Sequence, residues 1–186
     1  MRKGKMLFIL GGTRSGKSKY AEKLAKSFNK EVVYIATFPA GDDPEMTERI
    51  KRHRRMRPKY WRTIELGNID KIIGELKKIK NSVVVIECLT ILVSNLLLEL
   101  NKPKNAENII INKMRELTSS MKDSDNVIIL VSNEVGHGVV PGNELARSYR
   151  DILGKVNQLT AEGSDEFYVM FAGVPVEVKK LGKSGT

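Results

Sequence analysis

Gly-Gly-Thr-Arg-Ser-Gly-Lys-Ser, residues Gly11 to Ser18, decides how this chain is read. It fits the phosphate-loop pattern of Gly, four residues, then Gly-Lys-Ser/Thr. The apolar run Met6-Leu7-Phe8-Ile9-Leu10 before it predicts a buried strand. Tyr20, Leu24 and Phe28 after it recur at helical spacing, which predicts a helix over Lys17 to Phe28. A loop between a strand and a helix N-terminus turns backbone N–H groups and the positive end of the helix dipole onto an anion. Gly11 and Gly16 allow a close approach that a Cβ would block. Gly12, Thr13, Arg14 and Ser15 supply the rest of the cradle. In this pattern Lys17 reaches the β- and γ-phosphates and Ser18 ligates Mg²⁺. The expectation is a protein that handles a nucleoside triphosphate.

Outward from the loop, Glu31 to Thr37 is β-branched and aromatic and predicts a second buried strand. Its end, Ala36-Thr37-Phe38, falls at the carboxyl edge of the sheet, where open α/β sheets bind ligands. Asp42-Asp43-Pro44-Glu45 has the form of a helix start, and Pro58 sets the end of that helix near Met56. On it Met46, Ile50 and His53 share the inward face. Cations around His53 favour the neutral, nucleophilic imidazole and suit a phosphate set against it.

Further on, Trp61 to Leu66 predicts a short strand, Ile69 to Ile79 an amphipathic helix, and Val83 to Glu87 a buried strand. A strand of that kind in phosphate-loop enzymes ends in an acid that supports Mg²⁺ beside the loop hydroxyl. Glu87 stands there, one methylene longer than the usual Asp. A buried helix from Leu89, a helix over Ala106 to Met121 and a strand over Val127 to Val131 follow. The glycine-rich loop Ser132 to Gly142 after that strand is a second site candidate. Its His137 ranks below His53, because flanking glycines leave it exposed. A helix over Asn143 to Gly163 and a last buried strand over Phe167 to Ala172 complete the reading, with a frayed tail beyond Lys179. Apolar strands alternating with helices mean an α/β fold, a mostly parallel sheet with helices on both faces.

The 186 residues suit a single domain, 1–186, with no linker or internal repeat. The apolar stretch Leu89 to Leu100 is too short to span a bilayer. A single cysteine, Cys88, excludes an internal disulfide and fits a cytoplasmic location. The net charge of +10 is concentrated. Arg49 to Arg62 carries eight basic residues and no acid, which calls for an anionic partner.

The motifs together resemble those of the bifunctional adenosylcobinamide kinase / adenosylcobinamide-phosphate guanylyltransferase family. The markers are Gly11 to Ser18, Tyr34-Ile35-Ala36-Thr37, and Glu45 to Arg54 with its histidine. Arg57-Pro58, Trp61-Arg62-Thr63 and Glu87-Cys88-Leu89-Thr90 with Ser94-Asn95 continue the series. Ser132-Asn133-Glu134-Val135-Gly136, Pro141, Ala146-Arg147 and Arg150-Asp151 end it. The resemblance covers Leu7 to about Lys179. It implies a P-loop NTPase fold with a RecA-like core and a trimeric assembly. It also implies two reactions. A nucleoside triphosphate, ATP or GTP, phosphorylates the aminopropanol hydroxyl of the corrinoid adenosylcobinamide. GTP then gives GMP to a histidine, which passes it to adenosylcobinamide phosphate. The family's guanylylated histidine falls on His53. Its nucleotide contacts fall on Gly11–Ser18, Ala36, Thr37, Phe38, Arg54, Arg55, Met56, Arg57, Glu65 and Glu87. Where the family often has a second histidine, this chain has Arg52. Kinase chemistry uses the γ-phosphate and guanylyl transfer the α-phosphate, so the basic helix is expected to move between two positions. Equal helix geometry with and without GTP would count against that.

Two rival readings stay open at this point. A phosphate-loop kinase of another metabolite explains the loop and the arginines but not an inward His53. A nucleic-acid-stimulated NTPase explains the charge run, but only Tyr60-Trp61 is available for base stacking. No nucleic-acid partner is expected on the main reading.

Overall fold

The structure is a computed structural model that describes residues 4–38, 48, 54–55, 57–100 and 105–182. The expected helix over residues 42–56, with His53, Arg52 and Met56, lies outside the described residues except for Glu48, Arg54 and Arg55, which are helical.

The described elements are β1 (Lys5–Gly11), α1 (Lys17–Ser27), β2 (Val32–Ala36), β3 (Arg62–Glu65), α2 (Ile69–Leu76), β4 (Val83–Glu87) and α3 (Leu89–Glu99). They continue with α4 (Ala106–Lys122), β5 (Val127–Asn133), α5 (Glu144–Gly163), β6 (Glu166–Phe171), β7 (Val174–Glu177) and α6 (Val178–Leu181). The strands form one seven-stranded sheet in the order β3-β2-β4-β5-β1-β6-β7. Every pairing is parallel except β6–β7.

Both faces of the central strands are buried, which is why they read as unbroken apolar runs. Met6, Phe8, Val33, Ile35, Val84, Ile86, Ile128 and Leu130 face one core, closed by apolar residues of α2, α3, α4 and α5. Leu7, Ile9, Tyr34, Val85 and Ile129 face the other, with Ala21 and Ala25 of α1 and Trp61. The two layers are unequal: among the described residues, α2, α3, α4 and α5 share one face and α1 packs on the other. Small residues let α1 lie close to the sheet, across β1, β5 and β4.

Several element ends differ from expectation, each for a local reason. The helix predicted to reach Ile79 is α2, which ends at Leu76. Lys78 and Ile79 both donate to the Glu75 carbonyl, so the turn tightens while Ile79 stays buried. β5 runs on to Asn133 because Ser132 and Asn133 pair with Leu10 and Gly11. β6 is not the last strand and is only partly buried. Ala172 and Gly173, with φ of 46° and 90°, make a two-residue turn into β7. Both central residues at positive φ match the twist of a tight hairpin. Pro175 is tolerated in β7 because that strand is an edge. The short helix α6 reaches Lys180 and Leu181, the first residues of the tail expected to fray, while 183–186 lie outside the described residues. Asn143 caps α5 rather than opening it, accepting from the amides of Leu145 and Ala146.

Candidate active site

The carboxyl ends of β1, β2, β4 and β5 converge on one edge, and the loops leaving them build the site. The phosphate loop between β1 and α1 is held on both flanks. Glu134, just after β5, donates its amide to the Gly11 carbonyl at 3.1 Å. Gly173, in the β6–β7 turn, donates to the Ser15 carbonyl at 3.0 Å. Gly11 has no room for a side chain: a Cβ would lie 2.7 Å from Ser15 Oγ and 2.9 Å from the Met170 carbonyl. Gly16, the N-cap of α1, sits at φ 94°, a region that favours glycine. Gly12, Thr13 and Arg14 form the exposed rim, and Arg14 is left-handed at φ 57°.

Lys17 is folded into its own loop. Its ammonium donates to the Gly12 carbonyl at 2.6 Å and to Ser15 Oγ at 3.4 Å. Only 8% of the residue is exposed. Burial lowers its pKa below the usual lysine value, with Glu87 and Cys88 opposing the shift. A triphosphate set in the loop would give this cation a direct anionic partner.

Ser18 donates its hydroxyl to Glu87 Oε1 at 2.5 Å. Glu87 ends β4, two strands from β1, and α1 brings Ser18 across to it. Its other oxygen accepts from the Tyr34 hydroxyl. Tyr34 lies on β2, on the same sheet face. Burial first, then the Glu87 charge, pushes its phenol well above the usual tyrosine value, so it remains a donor. A hydroxyl and a carboxylate in contact are the hard oxygen donors that suit Mg²⁺, which takes few protein ligands beside phosphates.

The peptide bond from Glu87 to Cys88 is cis. Thr37 brackets it: its hydroxyl donates to the Cys88 carbonyl at 2.8 Å and accepts from the Cys88 amide at 2.7 Å. The Thr37 hydroxyl is thus engaged with this turn. Ala36 is buried, and its carbonyl accepts from the Leu66 amide, while Phe38 is half-buried at the edge. Burial raises the Cys88 thiol pKa, so the thiol stays protonated.

The basic segment meets this edge through its last residues. Arg54 Nε donates to Glu65 Oε1 at 2.9 Å, at the end of β3. The Arg57 guanidinium lies 4.0 Å over the Tyr34 ring, a cation–π contact. Among the described residues its Nε and Nη1 are buried and meet no hydrogen-bond acceptor. A buried donor on a charged group calls for an acceptor. Ser18, Glu22, Tyr34, Arg57, Trp61 and Glu87 line one pocket, so Arg57 and the loop hydroxyl share it. Arg55 is exposed.

The second loop contributes mostly structure. Glu134 Oε1 accepts from the Gly136 amide at 2.6 Å, and Arg147 holds the far end through the Pro141 and Gly142 carbonyls. His137 is exposed, as expected. Beneath the edge, Thr90 Oγ1 accepts from the Asn133 amide and side chain, and Asn95 donates to the Thr37 and Gly67 carbonyls. Sequence reading gave Tyr34, Thr90 and Asn95 no role in the site. The available signal was a polar group inside an apolar run.

Residues 7–178 match the family model described as cobinamide kinase / cobinamide phosphate guanyltransferase. The chain belongs to that family. Within the cobinamide kinase / guanyltransferase family, it is 38% identical over 184 residues to the bifunctional adenosylcobalamin biosynthesis protein CobU of Escherichia coli, covering 94% of this chain and 99% of the relative. It is 39% identical over 184 residues to the protein of the same name from Salmonella typhimurium, with the same coverage. It is 40% identical over 173 residues to the bifunctional adenosylcobalamin biosynthesis protein CobP of Pseudomonas aeruginosa, covering 92% of this chain and 95% of the relative. The family description names a kinase and a guanylyltransferase, and both activities use nucleoside triphosphates. Among the described residues no helix is long and apolar enough to cross a membrane.

Proposed function

We propose that this chain is a two-step enzyme of cobalamin biosynthesis whose chemistry runs through His53 and the Gly11–Ser18 loop. In the kinase step the aminopropanol hydroxyl of adenosylcobinamide attacks the γ-phosphorus of ATP or GTP. The O–P bond forms, the bond to the β-bridging oxygen breaks, and the nucleoside diphosphate leaves. In the second activity the neutral His53 imidazole attacks the α-phosphorus of GTP. An N–P bond forms and pyrophosphate leaves. A phosphate oxygen of adenosylcobinamide phosphate then attacks the same phosphorus, breaking the N–P bond and giving adenosylcobinamide-GDP. A covalent intermediate divides one transfer into two easier ones.

Positioning and charge stabilisation carry such reactions. Lys17 and the loop amides would hold the phosphates. Ser18 and Glu87 would hold Mg²⁺, which neutralises phosphate charge when bound. Arg57, with two buried nitrogens that meet no acceptor among the described residues, would meet charge on the phosphate being transferred. Thr37, through the Cys88 peptide, would keep the end of β4 in place. The observation that carries this reading is the pocket shared by Ser18, Glu87 and Arg57, which joins the phosphate loop to the segment that follows His53 in the chain. We further assign the chain one domain, a trimeric assembly and a cytoplasmic location, on the family resemblance and the single cysteine.

The test is to incubate wild type and His53→Ala with α-labelled GTP and denature. Label that is acid-labile, base-stable and absent from the variant is expected. Equal labelling of both proteins would remove His53 from the mechanism.

A further inference from the structure

We infer that Tyr34 is a positioning residue for the metal-side acid: its hydroxyl presets Glu87 so that Oε1 stays turned to Ser18. This rests on the proposal above that Ser18 and Glu87 hold Mg²⁺.

Three observations carry it. Tyr34 sits in β2 among Val32, Val33, Ile35 and Ala36, where an aliphatic or phenyl ring would satisfy the core equally well. Only its hydroxyl needs explaining, and that hydroxyl donates to Glu87 Oε2. The register explains the reach. Tyr34 pairs with Val85, and Glu87 is two residues further along β4 on the same face. The ring itself cannot wander. It is 4% exposed, stacked near Trp61 at 6.3 Å between centroids, and covered by the Arg57 guanidinium at 4.0 Å. Glu87 is therefore gripped by a fixed donor on one oxygen, while the other contacts the rotatable Ser18 hydroxyl. A carboxylate held on one oxygen presents the other in a single direction. Partners of this kind orient metal ligands and tune their affinity. Tyr34 touches no reacting atom in this scheme and acts only through Glu87.

The experiment measures binding of a non-hydrolysable GTP analogue to Tyr34→Phe, with Mg²⁺ and with EDTA. Phenylalanine keeps the ring, so the stack on Arg57 and Trp61 survives. The Mg²⁺ concentration for half-maximal binding is expected to rise roughly tenfold. Affinity in EDTA is expected to stay within about twofold, because the loop amides and Lys17 are untouched. An unchanged Mg²⁺ midpoint, or equal losses with and without Mg²⁺, overturns the inference. The same titration in a Glu87→Gln background is the second arm: there Tyr34→Phe is expected to add nothing, and an additive loss overturns it too. Wild type separates the two levels of the argument. If wild-type binding ignores Mg²⁺, the metal reading falls and takes the Tyr34 role with it. If wild type and Glu87→Gln respond as expected and Tyr34→Phe does not, only the Tyr34 role falls.

Discussion

Ser18 and Glu87 are in hydrogen-bond contact at 2.5 Å although β5 separates β1, which leads into the Ser18 loop, from β4, which ends at Glu87. The contact exists because α1 crosses the sheet obliquely and delivers its first turn to the end of β4. If the two groups serve one metal, they act as a unit. Ser18→Ala and Glu87→Gln are each expected to lower kcat/KM of both activities by about a hundredfold. The double variant is expected to lose little more. Steady-state assays of all three decide it; losses that multiply would mean independent roles.

The glycines of the loop should separate by the space around them. Gly11→Ala forces a Cβ against Ser15 Oγ and the Met170 backbone, so it is expected to cost about 1–3 kcal/mol and abolish triphosphate binding. A Cβ on Gly12 would meet no atom within 4 Å, so Gly12→Ala is expected to cost under about 0.5 kcal/mol. Thermal melts of the two variants without ligand check the contrast.

Lys17 predicts a pH effect. Its folded-state pKa is depressed by burial, so between that value and the ordinary lysine value the unfolded chain binds more protons than the folded one. Stability contributed at this site therefore rises with pH across that window. Lys17→Met without nucleotide is expected to melt no lower than wild type near pH 7. Wild type should gain on it as the pH climbs towards the ordinary lysine range. Nucleotide-dependent stabilisation should disappear in the variant at every pH. Melting curves from pH 7 upward, with and without GTP, read both effects.

Glu65 separates affinity from stability. Its pair with Arg54 is half exposed, so Glu65→Ala is expected to change stability by less than about 1 kcal/mol. If Arg54 is steered by it onto the nucleotide, KM for GTP should rise several-fold in guanylyl transfer. An unchanged KM would assign the pair to the surface alone.

Ala172 holds a left-handed conformation at φ 46° in the β6–β7 turn. That conformation costs a non-glycine residue about 1–2 kcal/mol. Ala172→Gly is expected to recover part of this, raising the melting temperature by a few degrees with both activities intact. A fall in melting temperature would count against that account of the turn.

Most of the sheet was legible because its strands carry the mark of double burial: Val83 to Ile86 and Met6 to Ile9 have no polar interruption. The loop was legible because its chemistry demands a glycine pattern. What escaped was decided by contacts distant in sequence. Val174-Pro175-Val176-Glu177 has only four residues and a proline, and becomes a strand only because β6 offers its edge. The extension of β5 to Asn133 needs Gly11 as its partner. Tyr34 read as a core aromatic, and its bond to Glu87 depends on a strand pairing that composition does not reveal. Ile79 kept the helical apolar spacing, although the backbone hydrogen bonds of α2 had already changed at Glu75.

The two backbone hydrogen bonds on Gly11 and Ser15, from Glu134 and Gly173, have a consequence for affinity. They preorganise the cradle from two separate places in the chain, the end of β5 and the β6–β7 turn. A triphosphate arriving there has little loop entropy to remove, and its binding energy is released for ordering elsewhere. A weakened strut at either flank would then show first as a lower association free energy for every nucleotide alike, with base selectivity untouched.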